Sequence, residues 1–327
     1  MSEKLRVLVV TNTYPTADRP GDTPQVHDQV EALRAKGCDI DLMYVNRYEG
    51  RRSYARAAWA MLLLSLRSQR YDLVHAYYGH CGLLARLQFR YPIVVTFLGS
   101  DLLHPRDGAI GKVVAKVVDG VIVQSEEMKR AARRGDAYVI PMGVNLHLFT
   151  PYPMEDSRRE LGLALDERLV LFPWNPARAV KRFDIVQEAV EIAQQSDARI
   201  RLVPVYDEPH AVVAKYMSAC DVMVLASDHE GSPMAVREAM ACNLPVVSVD
   251  VGDVRQIIGD TQGCYLCRRE PLDIAAKLGL ALQHGHRTCG ARVVRKKDAG
   301  WCADQIMLVY RSVLKKGSLQ RKNQGAM

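Results

Sequence analysis

Short runs of β-branched and aliphatic residues recur along the chain, and most are followed by a stretch whose apolar positions repeat at helical spacing. In the first half the runs fall at 7–10, 40–45, 73–76, 93–97, 121–124 and 138–140. Helices are predicted over 24–36, 56–68, 82–89, 110–118 and 126–133. After Pro141-Met142-Gly143-Val144-Asn145, residues 150–159 are rich in proline and charge and read as a loop. The alternation then restarts, with strands predicted at 169–172, 200–203, 222–226 and 246–249 and a weaker one at 264–266. The helices between them are predicted over 181–195, 210–219 and 233–242. In the first of these, Val186, Ala189, Val190 and Ala193 make a single apolar stripe. Strand and helix in alternation mean a parallel sheet covered on both faces. The fold class is therefore α/β, with two doubly wound domains and a cleft between them, at 1–150 and 151–300. A helix over 301–316, with Ile306, Val309, Tyr310 and Val313 on one face, and a basic flexible tail over 317–327 complete the chain.

Length and composition agree with this division. At roughly 150 residues per domain, 327 residues make about two domains. With 48% hydrophobic and 25% charged residues the chain is globular, which excludes disordered, collagenous and disulfide-scaffold classes. The longest apolar run, 57–64, is far shorter than the roughly 20 residues that span a bilayer. The N-terminus leads straight into a strand pattern without a secretory signal, so a cytoplasmic protein is expected. The net charge of +7 is uneven. Lys315, Lys316, Arg321 and Lys322 stand at the end without an acid, and Arg47, Arg51, Arg52, Arg56, Arg67 and Arg70 face only Glu49. Trp59, Leu62, Leu63 and Leu66 lie on one side of the 51–70 segment. That suits a helix resting on anionic lipid, peripherally at the inner membrane face, and equally a helix that covers the sheet with its arginines in solvent. No nucleic-acid partner is expected. The cysteines are scattered; only Cys264 and Cys267 form a C-x-x-C, and His284 and His286 do not complete a zinc spacing, so free thiols are expected.

Neither G-x-G-x-x-G nor a Walker A sequence occurs, which argues against a nicotinamide dehydrogenase and a P-loop kinase. The informative stretch follows the strand at 222–226: Glu230-Gly231-Ser232-Pro233-Met234-Ala235-Val236-Arg237-Glu238. Pro233 marks a helix start. The backbone N–H groups of residues 231–235 would then favour an anion, above all a phosphate. Glu230 and Glu238 are acceptors suited to vicinal hydroxyls. Phosphate donors beside hydroxyl acceptors describe a nucleotide-sugar site; a capped helix with solvent-facing acids is the alternative.

This stretch resembles the E-x7-E donor signature of the family 4 retaining glycosyltransferases, as do Asn243-Leu244-Pro245-Val246-Val247 and Asp250-Val251-Gly252-Asp253 after it. Thr96-Phe97-Leu98-Gly99-Ser100-Asp101, Val123-Gln124-Ser125 and Ile140-Pro141-Met142-Gly143-Val144-Asn145 extend the likeness over most of residues 1–314. The resemblance implies a GT-B fold, two Rossmann-like doubly wound domains facing a central cleft, whose last helix crosses back to the first domain. It also implies transfer of a hexose-type sugar with retention and without metal, from a nucleotide-sugar to an acceptor hydroxyl or amine. UDP is the first choice of nucleotide because it prevails in the family. The acceptor is left open among glycan, lipid-linked and small-molecule classes. By the same resemblance Glu238 would bind the donor ribose and Glu230 the hexose. Gly231, Ser232, Pro233, Met234 and Ala235 would reach sugar and phosphate. Lys181 fits the family's diphosphate-binding lysine; its arginine partner has no counterpart at Pro176, and Arg178 is the substitute, with Arg182 the alternative.

Several positions depart from the family pattern. Leu98 stands where many members carry a histidine, so no catalytic imidazole is carried over. Asp101 is a candidate for sugar or acceptor contact, with loop capping as the rival role. Gly21 is the one glycine where the family has a glycine pair, and it is a candidate for close approach of a phosphate and for sugar or acceptor contact. The segment after the second strand of the second domain lacks the family's G-x-G. Asp39-Ile40-Asp41 is formally D-x-D but opens an apolar strand, so no metal site is assigned and no cofactor is expected. A non-catalytic nucleotide-sugar-binding subunit and an epimerase on the same fold are the competing functions.

Overall fold

The computed structural model describes residues 4–66, 70–104 and 107–324. They form two compact units. The first comprises the described residues of Met1–Pro15, Thr23–Gly143 and Ala299–Met327; the second comprises Thr16–Asp22 and Val144–Asp298. The chain thus changes unit at Gly143, slightly before the expected boundary, and returns at Ala299.

The first unit is built on six parallel strands: β1 (Arg6–Thr11), β2 (Asp39–Tyr44), β3 (Leu73–Tyr77), β4 (Ile93–Thr96), β5 (Gly120–Val123) and β6 (Tyr138–Val139). Their order is β2-β1-β3-β4-β5-β6, with Val7 registered against Ile40 on one side and Leu73 on the other. Helices cover both faces, which is why Val7, Val9 and Val10 are all buried rather than alternating with polar residues. The D-x-D pair lies on the edge strand β2, where Asp41 accepts from Arg70 Nη2 at 2.7 Å and from the Tyr71 hydroxyl at 2.6 Å.

The C-terminal helix, Ala299–Gln324, belongs to this unit and buries the predicted face of Ile306, Val309, Tyr310 and Val313. Gly120 in β5 makes the close approach possible, since a Cβ there would lie 2.9 Å from Val313 Cγ2. Tyr310 reaches through to the sheet, its hydroxyl 2.6 Å from His75 Nδ1, while His75 Nε2 lies 2.8 Å from Thr96 Oγ1. Complete burial pushes the imidazole down to about 3, so it stays neutral. The helix does not stop near 316. It continues to Gln324, replacing the expected flexible tail by helix through that residue. Ser318 bonds back to the Lys315 carbonyl at 2.8 Å.

The second unit carries five parallel strands: β7 (Arg168–Phe172), β8 (Ile200–Pro204), β9 (Val222–Leu225), β10 (Val246–Val249) and β11 (Tyr265–Cys267), ordered β11-β10-β9-β7-β8. One core lies on each face. Cys264 packs into one and Cys267 into the other, which separates the C-x-x-C pair across the strand; all eight cysteines are free. The region expected as a loop at 150–159 contains a helix, Met154–Leu161. Its charges follow the helix dipole, with Glu155 and Asp156 in the first turn, Arg158 and Arg159 in the last, and left-handed Gly162 as C-cap. Buried Arg158 then pairs with Asp221 at 2.8 Å and ties that helix to the sheet. A second helix, Pro271–His284, also escaped the periodicity reading.

In each sheet the chain lays its second strand on one side of the first and its third on the other. The loops after β7 and β9 therefore diverge at a topological switch point, where doubly wound sheets bind ligands. Among the described residues no helix is long and apolar enough to cross a membrane.

Tyr310→Phe tests the seating of the C-terminal helix. It leaves His75 Nδ1 buried without its partner and is expected to lower the unfolding free energy by about 1–3 kcal/mol in a denaturant titration. An unchanged midpoint would show that this bond does not hold the helix.

Candidate functional site

The loop after β7 is shaped by its own backbone. Asn175 Oδ1 accepts from the Ala177 N–H at 2.9 Å, and the Arg178 N–H bonds to the Asn175 carbonyl at 3.0 Å, closing a tight turn. A short 3-10 turn, Ala179–Lys181, follows, and Arg182 in left-handed conformation (φ 54°) redirects the chain into the helix Phe183–Gln194. The predicted single helix from Lys181 is thus two pieces with a bend between them. That bend separates the cations. Arg182 turns outward and pairs with Asp184 at 2.9 Å and Asp228 at 3.4 Å. Lys181 is buried, and Arg178 is exposed with no ion pair among the described residues.

The loop after β9 meets this one. The Asp228 N–H donates to the Val180 carbonyl at 2.9 Å, and Arg269 donates to the carbonyls of Ala226 at 3.1 Å and Ser227 at 2.8 Å. Where the loops close, Lys181 Nζ donates to Glu230 Oε1 at 2.5 Å, with the side chains only 7% and 15% exposed. The ammonium also lies 4.6 Å from the centre of the Trp174 ring. Burial pushes the Lys181 ammonium below its ordinary value, opposed by the charge and hydrogen bond of Glu230, while neighbouring Arg178 pushes the same way as burial.

Glu230 is followed by a rigid turn. Gly252, with φ +57°, lies against it so closely that a Cβ would come within 3.0 Å of both the Glu230 and Gly231 carbonyl oxygens. Ser232 donates to Asp253 Oδ2 at 3.0 Å, and buried Arg237 reaches the same oxygen at 2.5 Å. Pro233 is the N-cap residue rather than the first helical one, and the helix runs Met234–Ala241. No side chain caps it, so its first N–H groups, near Met234 and Ala235, are left for another acceptor. Glu238, on the same helix, is 4% exposed and accepts from His210 Nε2 at 2.9 Å.

The second unit thus holds together Lys181, Glu230, Gly231, Ser232 and Pro233, with Met234, Ala235 and Glu238 on the helix that follows. The residues assigned outside this group are placed differently. Asp101 is 1% exposed, and its two oxygens accept from the N–H groups of Leu98 and Gly99, both at 2.9 Å, and Gly79 at 3.1 Å. Its carboxylate is an internal loop cap rather than a sugar contact, and burial pushes it up to about 6 against those three bonds. Gly21 clusters with the second unit, where a Cβ would meet Asp207 Cα at an ordinary 3.6 Å, so no packing contact among the described residues requires glycine there. Leu98 is half-buried. Arg269 and His210 were missed by sequence reasoning, because neither stands at a distinctive spacing from the residues it serves. Among the described residues no three or more His, Cys, Asp or Glu side chains are gathered as a metal site would need.

An uncapped helix start, a lysine and two glutamates at the switch point of a doubly wound sheet make a site for an anionic, hydroxyl-bearing ligand. Comparison with known proteins gives the family. Residues 4–148 match the Glycosyltransferase Family 4 domain, and residues 174–284 match the domain described as Glycosyl transferases group 1. A Bacillus subtilis (strain 168) protein assigned to teichuronic acid biosynthesis as the glycosyltransferase TuaC is 26% identical over 79% of this chain and 84% of its own length. A D-inositol 3-phosphate glycosyltransferase of Geodermatophilus obscurus is 27% identical over 65% of this chain and 59% of its own. In fold, Anabaena HepE, solved in complex with UDP, aligns over 94% of this chain and all of its own with a TM-score of 0.69 at 17% identity. The two domain matches occupy the two halves of the chain in turn, and the chain belongs to the group 1/family 4 glycosyltransferases, with their GT-B fold.

Proposed function

We propose that this glycosyltransferase takes a hexose-type sugar from a nucleotide-sugar, UDP-linked in the first instance, and passes it to an acceptor hydroxyl or amine with retention and without a metal or other cofactor. The observation that carries the reading is the buried Lys181–Glu230 pair beside the uncapped start of the helix Met234–Ala241. Lys181 and exposed Arg178 supply positive charge for a diphosphate, joined by the N–H groups of Met234 and Ala235. As the sugar–phosphate bond lengthens, negative charge grows on the leaving diphosphate, and cations already in place stabilise it without reorganising. An ammonium has more donors than its bond to Glu230 uses, so Lys181 serves both. Glu230 accepts from hexose hydroxyls and Glu238 from the ribose. The acceptor attacks the same face that the diphosphate leaves, and the leaving phosphate takes the acceptor proton, so no side-chain nucleophile is required. HepE, solved with UDP, supports the choice of nucleotide.

We further propose that the acceptor is lipid-linked and met at an anionic membrane surface on the inner, cytoplasmic side. The helix Arg51–Leu64 buries Ser53, Ala57, Met61 and Leu64, which leaves Arg52, Ala55 and Trp59 as an exposed stripe continued by Leu62 and, beyond the helix, Leu66. Phe89, 76% exposed, lies at the end of this stripe with its N–H on Ser65 Oγ at 3.2 Å, and the Arg86 guanidinium lies 5.8 Å from its ring centre. A strip carrying Trp59, Leu62 and Leu66 and ending at Phe89, with Arg51, Arg52, Arg86 and Arg90 exposed, has the chemistry of an interfacial helix. Of the expected members, Leu63 is half-buried, Arg56 and Arg70 are held by Glu49 and Asp41, and Arg67 lies outside the described residues.

Two experiments test these readings. Replacing Lys181 by Ala is expected to lower kcat for sugar release from the donor by about 100-fold or more. Glu238→Ala is expected to raise the donor KM by about 10-fold. Unchanged turnover in both variants would remove the donor assignment. Separately, the protein should sediment with vesicles containing phosphatidylglycerol and not with pure phosphatidylcholine, and the double variant Trp59→Ser, Leu62→Ser should lose most of that binding. Equal recovery with both vesicles, or with neither, would remove the membrane surface.

A further inference from the structure

The segment after β8, trimmed relative to the family pattern, delivers a side chain of its own. Pro209, with extended backbone (φ −56°, ψ 142°), is the N-cap of the helix His210–Ala219, so His210 is its first residue and starts from a conformationally fixed position. Its imidazole is 13% exposed. One edge meets Glu238 Oε1 at 2.9 Å through Nε2, and the ring stands edge-on to Phe149 with centroids 4.7 Å apart. Glu238 is itself almost fully buried.

We infer that His210 is a positioning residue for Glu238, orienting its carboxylate to receive the donor's ribose hydroxyls; the inference rests on the donor reading of Glu238 given above. The last torsion of a glutamate is broad, so an unheld carboxylate must be ordered each time a ligand binds. Donation from Nε2 to Oε1 fixes that torsion beforehand with a charge-assisted bond and leaves Oε2 as an acceptor. Phe149 in turn limits rotation of the ring. The histidine thereby supplies to this site, from a different element, a constraint that nothing on the helix Met234–Ala241 itself provides, since no other hydrogen bond to the Glu238 carboxylate is seen among the described residues.

Calorimetric titration of the full-length protein with UDP, which needs no acceptor, provides the test. His210→Phe keeps a ring against Phe149 but has no donor, whereas His210→Gln retains an N–H that reaches the Nε2 position. The phenylalanine variant is expected to bind UDP about 10-fold more weakly. The glutamine variant should recover most of that loss, with melting temperatures of both close to wild type. In a Glu238→Ala background His210→Phe should have no further effect. The inference is overturned if both His210 variants bind like wild type while Glu238→Ala is weakened, if glutamine is as impaired as phenylalanine, or if the two sites act additively. If Glu238→Ala itself binds UDP normally, the donor reading fails first and the inference with it.

Discussion

Removing a lysine ammonium from water is unfavourable unless an opposite charge and hydrogen bonds replace the lost solvation, and at Lys181 the replacement is Glu230. The pair holds only in one geometry, because both ends must be brought to it by their backbones. Lys181 is carried by the loop after β7 and Glu230 by the loop after β9, the two that part at the switch point of the sheet. Once paired they fix both loops at their tips, and the Asp228 N–H on the Val180 carbonyl and the Arg269 clamp fix them at their bases. A ligand that brings a diphosphate meets a cation whose position is already set.

The surroundings are rigid for separate reasons. Gly252 occupies a left-handed conformation and presses against the Glu230–Gly231 backbone, where no side chain would fit unstrained. Asp253 receives Ser232 and Arg237 together, so the residues before the helix Met234–Ala241 are tied to the segment after β10. The first unit shows the same economy in its own polar network, where the C-terminal helix is keyed into an apolar sheet by Tyr310 on a neutral His75. In each unit, these buried polar side chains join elements that the strand pattern alone would leave loosely connected.

The strands were legible because fully buried parallel strands must be nearly continuous in β-branched residues, and every predicted run is a strand. The helix Met154–Leu161 was not, because it is mostly charged and its arrangement along the dipole is visible only once its ends are known. At the site, Glu230, Lys181 and Glu238 were readable from motif spacing. The fate of Asp101 was not: a conspicuous carboxylate in a loop could face a ligand or its own backbone, and three N–H groups decide for the backbone. Similarly, the choice between Arg178 and Arg182 turns on one left-handed residue that points Arg182 at Asp184. Arg269 and His210 act across the fold from distant sequence positions, so only three-dimensional structure brings them to the loops they hold.

The central claim is that the second unit binds a nucleoside diphosphate through this constellation. Thermal unfolding with UDP, GDP, ADP and NAD in turn, on the wild type and on Glu238→Ala, tests it most directly. The account predicts that a nucleoside diphosphate, UDP first, raises the melting temperature of the wild type and does so weakly in the variant. Stabilisation by NAD alone, or an equal shift in both proteins, would contradict it.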